Sequence, residues 1–279
     1  MYIKCWGSRG SVPVSGIDYV KYGGDTTCLE IRSDKDDLVI LDAGTGIRRL
    51  GLDLLAQKRY SVDMLFTHAH WDHLMGFPFF APIYNENFRI SMKGCPFAQK
   101  FIESMLGKVM SQPNFPIEYS DLKASFDYLP ECPFTLHIGA LTITPVPISH
   151  PNRGSGYKFR ENGTSFVFLT DNELAFQHKG GLGFDDYVEF CSGADLLMHD
   201  AEYTPEEYPS VRQWGHSTYV DALDLAIKAG VKRLGLFHLN QGRSDRAVDE
   251  IVEQCRKIIS ERGAALECFA VGMDMTFEV

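Results

Sequence analysis

The segment Thr67-His68-Ala69-His70-Trp71-Asp72-His73 narrows the folds open to this 279-residue chain more than any other stretch. It gathers three of the nine histidines and a carboxylate directly after a short apolar run, Val62–Phe66, that reads as a strand. At a strand end, positions i and i+2 point to the same side, so His68 and His70 can hold one cation. If the chain then turns, Asp72 and His73 face a second cation beside it. Imidazole and carboxylate together suit Zn²⁺, Mn²⁺ or Fe. Such a cluster has to stand on the rim of a rigid sheet. Three more apolar runs end in a lone donor: Leu141–Ile148 before His150, Ser165–Leu169 before Asp171 and Arg233–Phe237 before His238. Taken singly, each of these residues also suits a cap or a turn. Taken together they converge on one sheet edge, where open-sheet sites form. Seven donors suit two metals, one carboxylate bridging them.

The surrounding pattern supports a two-sheet core with helices outside. Strands are expected at Tyr2–Trp6, Cys28–Ile31 and Leu38–Leu41, followed by the turn Asp42-Ala43-Gly44-Thr45-Gly46 and a helix from Ile47 to Gln57. Tyr157–Arg160 and Ser165–Leu169 flank Asn162-Gly163, a strong hairpin signal. Leu196–Met198 is a short strand ending at His199-Asp200. Helices are expected at Phe97–Leu106, from Thr218 to Ala229 with Gly230 as C-cap, and from Arg246 to Ser260. A final strand pair closes the chain. We read residues 1–279 as a single domain with an aromatic-rich insertion at about 76–131, which either packs as ordinary core or forms a lid or dimer contact. A homodimer is a further expectation.

Composition bounds the partners. Twenty-seven Lys+Arg against 37 Asp+Glu give a net charge of −10, which argues against an extended nucleic-acid surface. A small phosphorylated substrate remains compatible, because bound metal supplies local positive charge. The seven cysteines, Cys5, Cys28, Cys95, Cys132, Cys191, Cys255 and Cys268, are odd in number, scattered and free of C-x-x-C pairs. Reduced, buried thiols in a cytoplasmic protein are expected. Neither a membrane-spanning run nor a signal peptide is evident.

With these residues in view, the chain resembles the metallo-β-lactamase-fold hydrolases, in the branch holding ribonuclease Z and cyclic phosphodiesterases similar to phosphoribosyl 1,2-cyclic phosphodiesterase. The resemblance runs from Gly7-Ser8-Arg9-Gly10-Ser11-Val12-Pro13 through Leu41–Gly46, the His-rich segment, His150, Asp171 and Gly215-His216-Ser217-Thr218 to His238. It implies an α/β (α+β) fold, a four-layer αββα sandwich. It implies that one metal takes His68, His70, His150 and Asp171, and the other Asp72, His73, Asp171 and His238. Asp42 would orient a ligand histidine. The catalytic residues it implies are His216, Asp72 and Asp200. Asp200 would support His216, although this branch more often has Glu there, and Glu202 is a substitute. His199 and His178 read as structural or exposed.

The activity expected is metal-assisted hydrolysis of a cyclic nucleotide or other small phosphodiester by two divalent cations, with zinc favoured over manganese or iron. His216 would donate to the leaving oxygen or hold the phosphoryl oxygens. Arg9, Asn240 and Arg243 are candidate phosphate contacts. Three other readings stay open. One is a ribonuclease Z-like tRNA 3′ endonuclease. Enzymes of that kind commonly insert a tRNA-binding arm between the residues matching His150 and Asp171, where only 171 − 150 − 1 = 20 residues stand here. The second is a lactonase or thioesterase on the same scaffold. The third is a non-enzymatic diiron oxygen-binding sensor, disfavoured because its relatives usually have Glu where His70 stands.

Overall fold

In the computed structural model, residues 1–93, 96–129 and 134–279 are described, with side chains for the same residues except 96–101. The chain forms, in order, β1 (Tyr2–Gly7), β2 (Cys28–Arg32), β3 (Leu38–Leu41), α1 (Ile47–Ala56), β4 (Ser61–Leu65), α2 (Trp71–Leu74), β5 (Arg89–Met92), α3 (Pro96–Val109), β6 (Ser125–Tyr128) and β7 (Leu136–Ile138). It continues with β8 (Leu141–Pro147), β9 (Ser155–Glu161), β10 (Thr164–Leu169), α4 (Phe184–Cys191), β11 (Leu196–Asp200), α5 (Tyr208–Val211), α6 (Tyr219–Lys228), β12 (Arg233–Phe237), α7 (Asp245–Glu261), β13 (Glu267–Ala270) and β14 (Thr276–Glu278).

Two seven-stranded sheets result, in the orders β14-β1-β2-β3-β4-β5-β6 and β13-β12-β11-β10-β9-β8-β7. In each, a parallel half adjoins an antiparallel half. The central strands are apolar on both faces because both faces are covered. Leu38, Val39, Ile40 and Leu41 of β3 are all buried, and they divide between two cores. Val39 and Leu41 join Ile3, Leu29, Tyr157, Phe159, Phe166, Phe168 and Phe237 in a core built from both sheets. Leu38 and Ile40 face Leu50 and Leu54 of α1 and Ile102 and Leu106 of α3. On the far side, Val167, Leu197 and Leu234 meet Tyr187, Leu223, Ala226, Val252 and Cys255 from α4, α6 and α7. Helix, sheet, sheet and helix therefore make four layers, as the resemblance implied.

Local signals explain several boundaries. The two-residue loop between β9 and β10 has both Asn162 and Gly163 at positive φ, 50° and 86°, the turn that matches the twist of its strands. Thr218 caps α6 by accepting from the Asp221 amide at 3.1 Å, and Gly230 (φ 63°) follows its end.

One expectation needs correction. The last two strands do not pair with each other: β13 adds to β12 in one sheet and β14 to β1 in the other. Alternation shows that a segment is extended, but not which edge it joins. Described parts of the stretch at about 76–131 join the first sheet and its core. Its β5 and β6 extend the first sheet in parallel, and Phe77, Phe80, Phe88 and Ile90 are buried in the core beneath α1 and α3. The side chains of Phe97 and Phe101 lie outside the described residues. Cys5, Cys28, Cys191, Cys255 and Cys268 are free and buried, while Cys95 and Cys132 lie outside the described residues. Among the described residues no helix is long and apolar enough to cross a membrane.

Candidate metal centre

The carboxyl ends of β3, β4, β8, β10, β11 and β12 supply the polar residues of one rim. Asp42, Asp171 and His238 stand one or two residues beyond β3, β10 and β12, each with left-handed backbone (φ 62°, 54° and 54°). A non-glycine residue adopts that conformation only where its surroundings enforce it. Here the turn swings a side chain off its strand and into the rim. His68 and His70 follow β4, and α2 carries Asp72 and His73.

Three groups of donors lie close enough together to hold a cation: His68, His70 and His150; Asp72, His73, Asp171 and His238; and, sharing two residues with the second, Asp171, Asp200, His216 and His238. The His68, His70 and His150 rings form a nearly equilateral triangle, with centroids 4.6, 4.7 and 4.7 Å apart. His150 Nε2 is 2.9 Å from His70 Nδ1. His68 Nε2 is buried with no hydrogen-bond partner, 3.6 Å from Asp171 Oδ1. The second group comprises Asp72, His73, Asp171 and His238. His73 Nε2 lies 3.4 Å from Asp72 Oδ2 and 3.2 Å from Asp171 Oδ1. His238 Nε2 lies 3.2 Å from each of the same two oxygens. Donors about 2.0–2.1 Å from a tetrahedral cation stand about 3.3 Å apart, so these four edges have the span such an ion needs. The unpartnered nitrogen of His68 and these spacings both fit divalent metal. Asp171 borders the first two groups.

Each inward nitrogen is aimed by what its ring partner bonds. His73 Nδ1 donates to Asp42 Oδ2 (2.8 Å), His150 Nδ1 to the Gly215 carbonyl (2.9 Å) and His238 Nδ1 to Glu202 Oε2 (3.0 Å). Those acceptors have no proton to offer, which fixes the tautomers. The Thr67 amide and hydroxyl also donate to Asp42, both at 2.7 Å. Burial pushes His150 down to about 3, keeping it in the neutral form that ligates. Burial alone would raise Asp171, but His238, His73 and His68 hold it well below the usual carboxylate range.

His216 stands beside this centre, its ring stacked on His238 with centroids 4.7 Å apart. Its Nδ1 donates to Asp200 Oδ2 at 2.7 Å and lies 3.4 Å from Glu202 Oε2. Burial favours the neutral ring, yet the two carboxylates outweigh it and push His216 up to about 9. Those two carboxylates therefore favour the protonated ring at neutral pH. Asp200 and Glu202 both serve it, and Glu202 also orients His238.

The candidate phosphate contacts are placed differently. Arg9 is fully buried, and its guanidinium donates to the carbonyls of Gly23, Asn240 and Arg243. It knits its own loop to two others, while Nη2 is buried without a hydrogen-bond partner, 3.7 Å from Asp245 Oδ1. Arg243 donates to the Glu202 carbonyl and Glu207 Oε2, and Asn240 Nδ2 donates to Glu202 Oε1. Both are committed to placing Glu202. His199 is buried, with Nε2 3.1 Å from Asn172 Nδ2, and His178 bonds Glu173. Neither belongs to the donor groups. Sequence reasoning missed Asn172, whose Oδ1 accepts the Ser149 amide at 2.8 Å beside His150. Its position next to Asp171 is the only signal that marks it.

The fit also makes one glycine sensitive. Gly215 has φ +96°, and a Cβ there would sit 2.0 Å from His150 Nδ1. Gly215→Ala is expected to displace His150 and weaken one of two bound cations about tenfold or more, while leaving the His238 group intact. Competition with a fluorescent chelator would measure it, and two unchanged affinities would contradict the placement.

Comparison with known proteins gives a consistent family. The model described as a beta-lactamase superfamily domain matches residues 38–239. A ribonuclease Z from Limosilactobacillus fermentum is 22% identical over 272 residues, spanning 84% of this chain and 87% of that protein. The metallo-beta-lactamase fold protein YhfI from Bacillus subtilis superposes with a TM-score of 0.71 at 17% identity, over 100% of this chain and 98% of the other. A diphosphatase from the PhnP family gives 0.70 at 18%, over 100% and 97%. At such identities the structural likeness establishes a shared fold.

Proposed function

Given that the chain belongs to the beta-lactamase superfamily, we propose that it is a dinuclear metal-dependent phosphodiesterase acting on a cyclic nucleotide or another small phosphodiester. The observation that carries this reading is Asp171 set between the His68/His70/His150 and Asp72/His73/His238 donors, with His216 alongside, hydrogen-bonded to Asp200. His68, His70 and His150 with Asp171 would hold one divalent cation. Asp72, His73 and His238 with the same Asp171 would hold the other. The nitrogen-rich set and its spacing favour zinc, with manganese or iron also accommodated. Two such cations supply a water acidic enough to attack at neutral pH and positive charge to offset the phosphoryl oxygens.

The chain's own groups would do the rest. Asp72 is held by the Ser11 amide at 2.9 Å, which fixes its carboxylate toward His73 and His238. His216, kept protonated by Asp200 and Glu202, would give its proton to the departing oxygen or hold the phosphoryl oxygens, with Asp200 balancing its charge. We read residues 1–279 as one catalytic domain and, from its buried free thiols, as a protein of the reducing cytoplasm.

The relatives named ribonuclease Z keep a second reading open, a tRNA 3′ endonuclease. Small substrates are favoured because β9, the Asn162-Gly163 turn and β10 fill most of the stretch between His150 and Asp171, and because a net charge of −10 suits a long polyanion poorly. Protein loaded with Zn²⁺ or Mn²⁺ is expected to turn over bis(p-nitrophenyl) phosphate and a cyclic nucleotide, and to stop when a chelator is added. Cleavage of a tRNA precursor at far lower enzyme concentration would replace this reading with the endonuclease. Preference for a lactone or thioester would replace it with those activities.

A further inference from the structure

Two residues beyond Asp171, the Glu173 carboxylate is buried and accepts four bonds. Oε1 takes the Tyr208 hydroxyl (2.6 Å) and the Gln213 amide (2.7 Å); Oε2 takes the Gly215 amide (2.8 Å) and His178 Nε2 (2.7 Å). Three of these donors belong to the single stretch 208–215. That stretch presents the Gly215 carbonyl to His150 Nδ1 at 2.9 Å and delivers His216 one residue later. It includes only the single short turn of α5 and the left-handed Gln213 (φ 73°), so it has little secondary structure of its own to set its path.

We infer that Glu173 is a positioning residue for the reaction: it clamps the 208–215 loop so that one peptide aims His150 and the next residue sets His216 against Asp200. The inference rests on the metal-dependent reading above. It assigns one residue a grip on both the cation-holding and the proton-donating side of the centre, from a strand end that already supplies Asp171. His238 is outside its reach, because Glu202 aims that ring.

Glu173→Gln tests it sharply. The amide turns one acceptor into a donor. The Tyr208 hydroxyl can rotate to accept and His178 can change tautomer, but a backbone N–H cannot reverse. Whichever way the amide lies, Gln213 or Gly215 loses its partner. With the wild-type protein and the variant both loaded with zinc, two quantities are measured: the two cation affinities by chelator competition, and kcat and KM on bis(p-nitrophenyl) phosphate. The expected result is one affinity lowered about 10- to 100-fold, the other unchanged, and kcat reduced about tenfold or more at nearly constant KM. A stabilising role alone would lower the melting temperature and leave the affinities and kcat of the folded fraction unmoved, and that result would overturn the inference. Should Glu173→Gln fail to fold, Glu173→Asp carries the test, since it keeps the charge while withdrawing both oxygens by about one bond length; the same split in affinities and kcat is expected. Two wild-type-like affinities in that variant would equally overturn it. A wild-type protein that binds no pair of cations removes the metal reading itself, and this inference with it.

Discussion

Asp171→Asn is expected to bring the protein down to at most one weakly held cation and to lower kcat/KM on bis(p-nitrophenyl) phosphate by more than about 10³-fold, beyond what a single lost stabilising donor usually costs. The residue keeps its shape and loses its charge. Its Oδ1 lies 3.2 Å from His73 Nε2, 3.2 Å from His238 Nε2 and 3.6 Å from His68 Nε2, so both donor groups lose the same carboxylate together. Elemental analysis after dialysis against free metal, run with the kinetic assay, checks it. Two retained cations and activity within tenfold of wild type would remove Asp171 from the centre.

His216→Ala should behave in the opposite way. Its ring belongs to neither of the two groups proposed to hold the cations, so both cations should stay. What goes is a proton held ready by Asp200 and Glu202, worth roughly 10²- to 10⁴-fold in rate. The leaving group separates the two roles open to it. p-Nitrophenolate departs without help, whereas an alkoxide needs a proton. If His216 is the donor, the loss in kcat should be far larger for a cyclic nucleotide than for bis(p-nitrophenyl) phosphate. Equal losses would reassign it to holding the phosphoryl oxygens, and lost metal would make it a ligand instead.

Much of this centre is legible in the sequence because its donors sit where apolar strands stop. β12 appears with the boundaries its composition suggests, and β8 and β10 lie within a residue or so of theirs. The rest is hidden for physical reasons. β5 and β6 are four residues each; β5 alternates buried with more exposed positions and β6 half-buried with exposed ones, too brief for period-two patterning to stand out. α4 has eight residues and carries two aspartates, Asp185 and Asp186, in its first turn. Glu173 is invisible because a carboxylate's worth here depends on partners up to about 40 residues away, two of them backbone amides that carry no sequence signature. Arg9 misleads in the complementary sense. An arginine in a glycine-flanked loop reads as a ligand contact, yet carbonyls from two other loops occupy Nε and Nη1.

The left-handed turns at Asp42, Asp171 and His238 bear on how this scaffold can diversify. At each one the backbone shape and the chemical group are demanded of the same residue. Glycine would relax the main chain and lose the donor, and a β-branched residue would be refused by the main chain before its chemistry mattered. Drift toward new substrates is therefore steered away from these three hinges and into exposed loop positions that carry no donor.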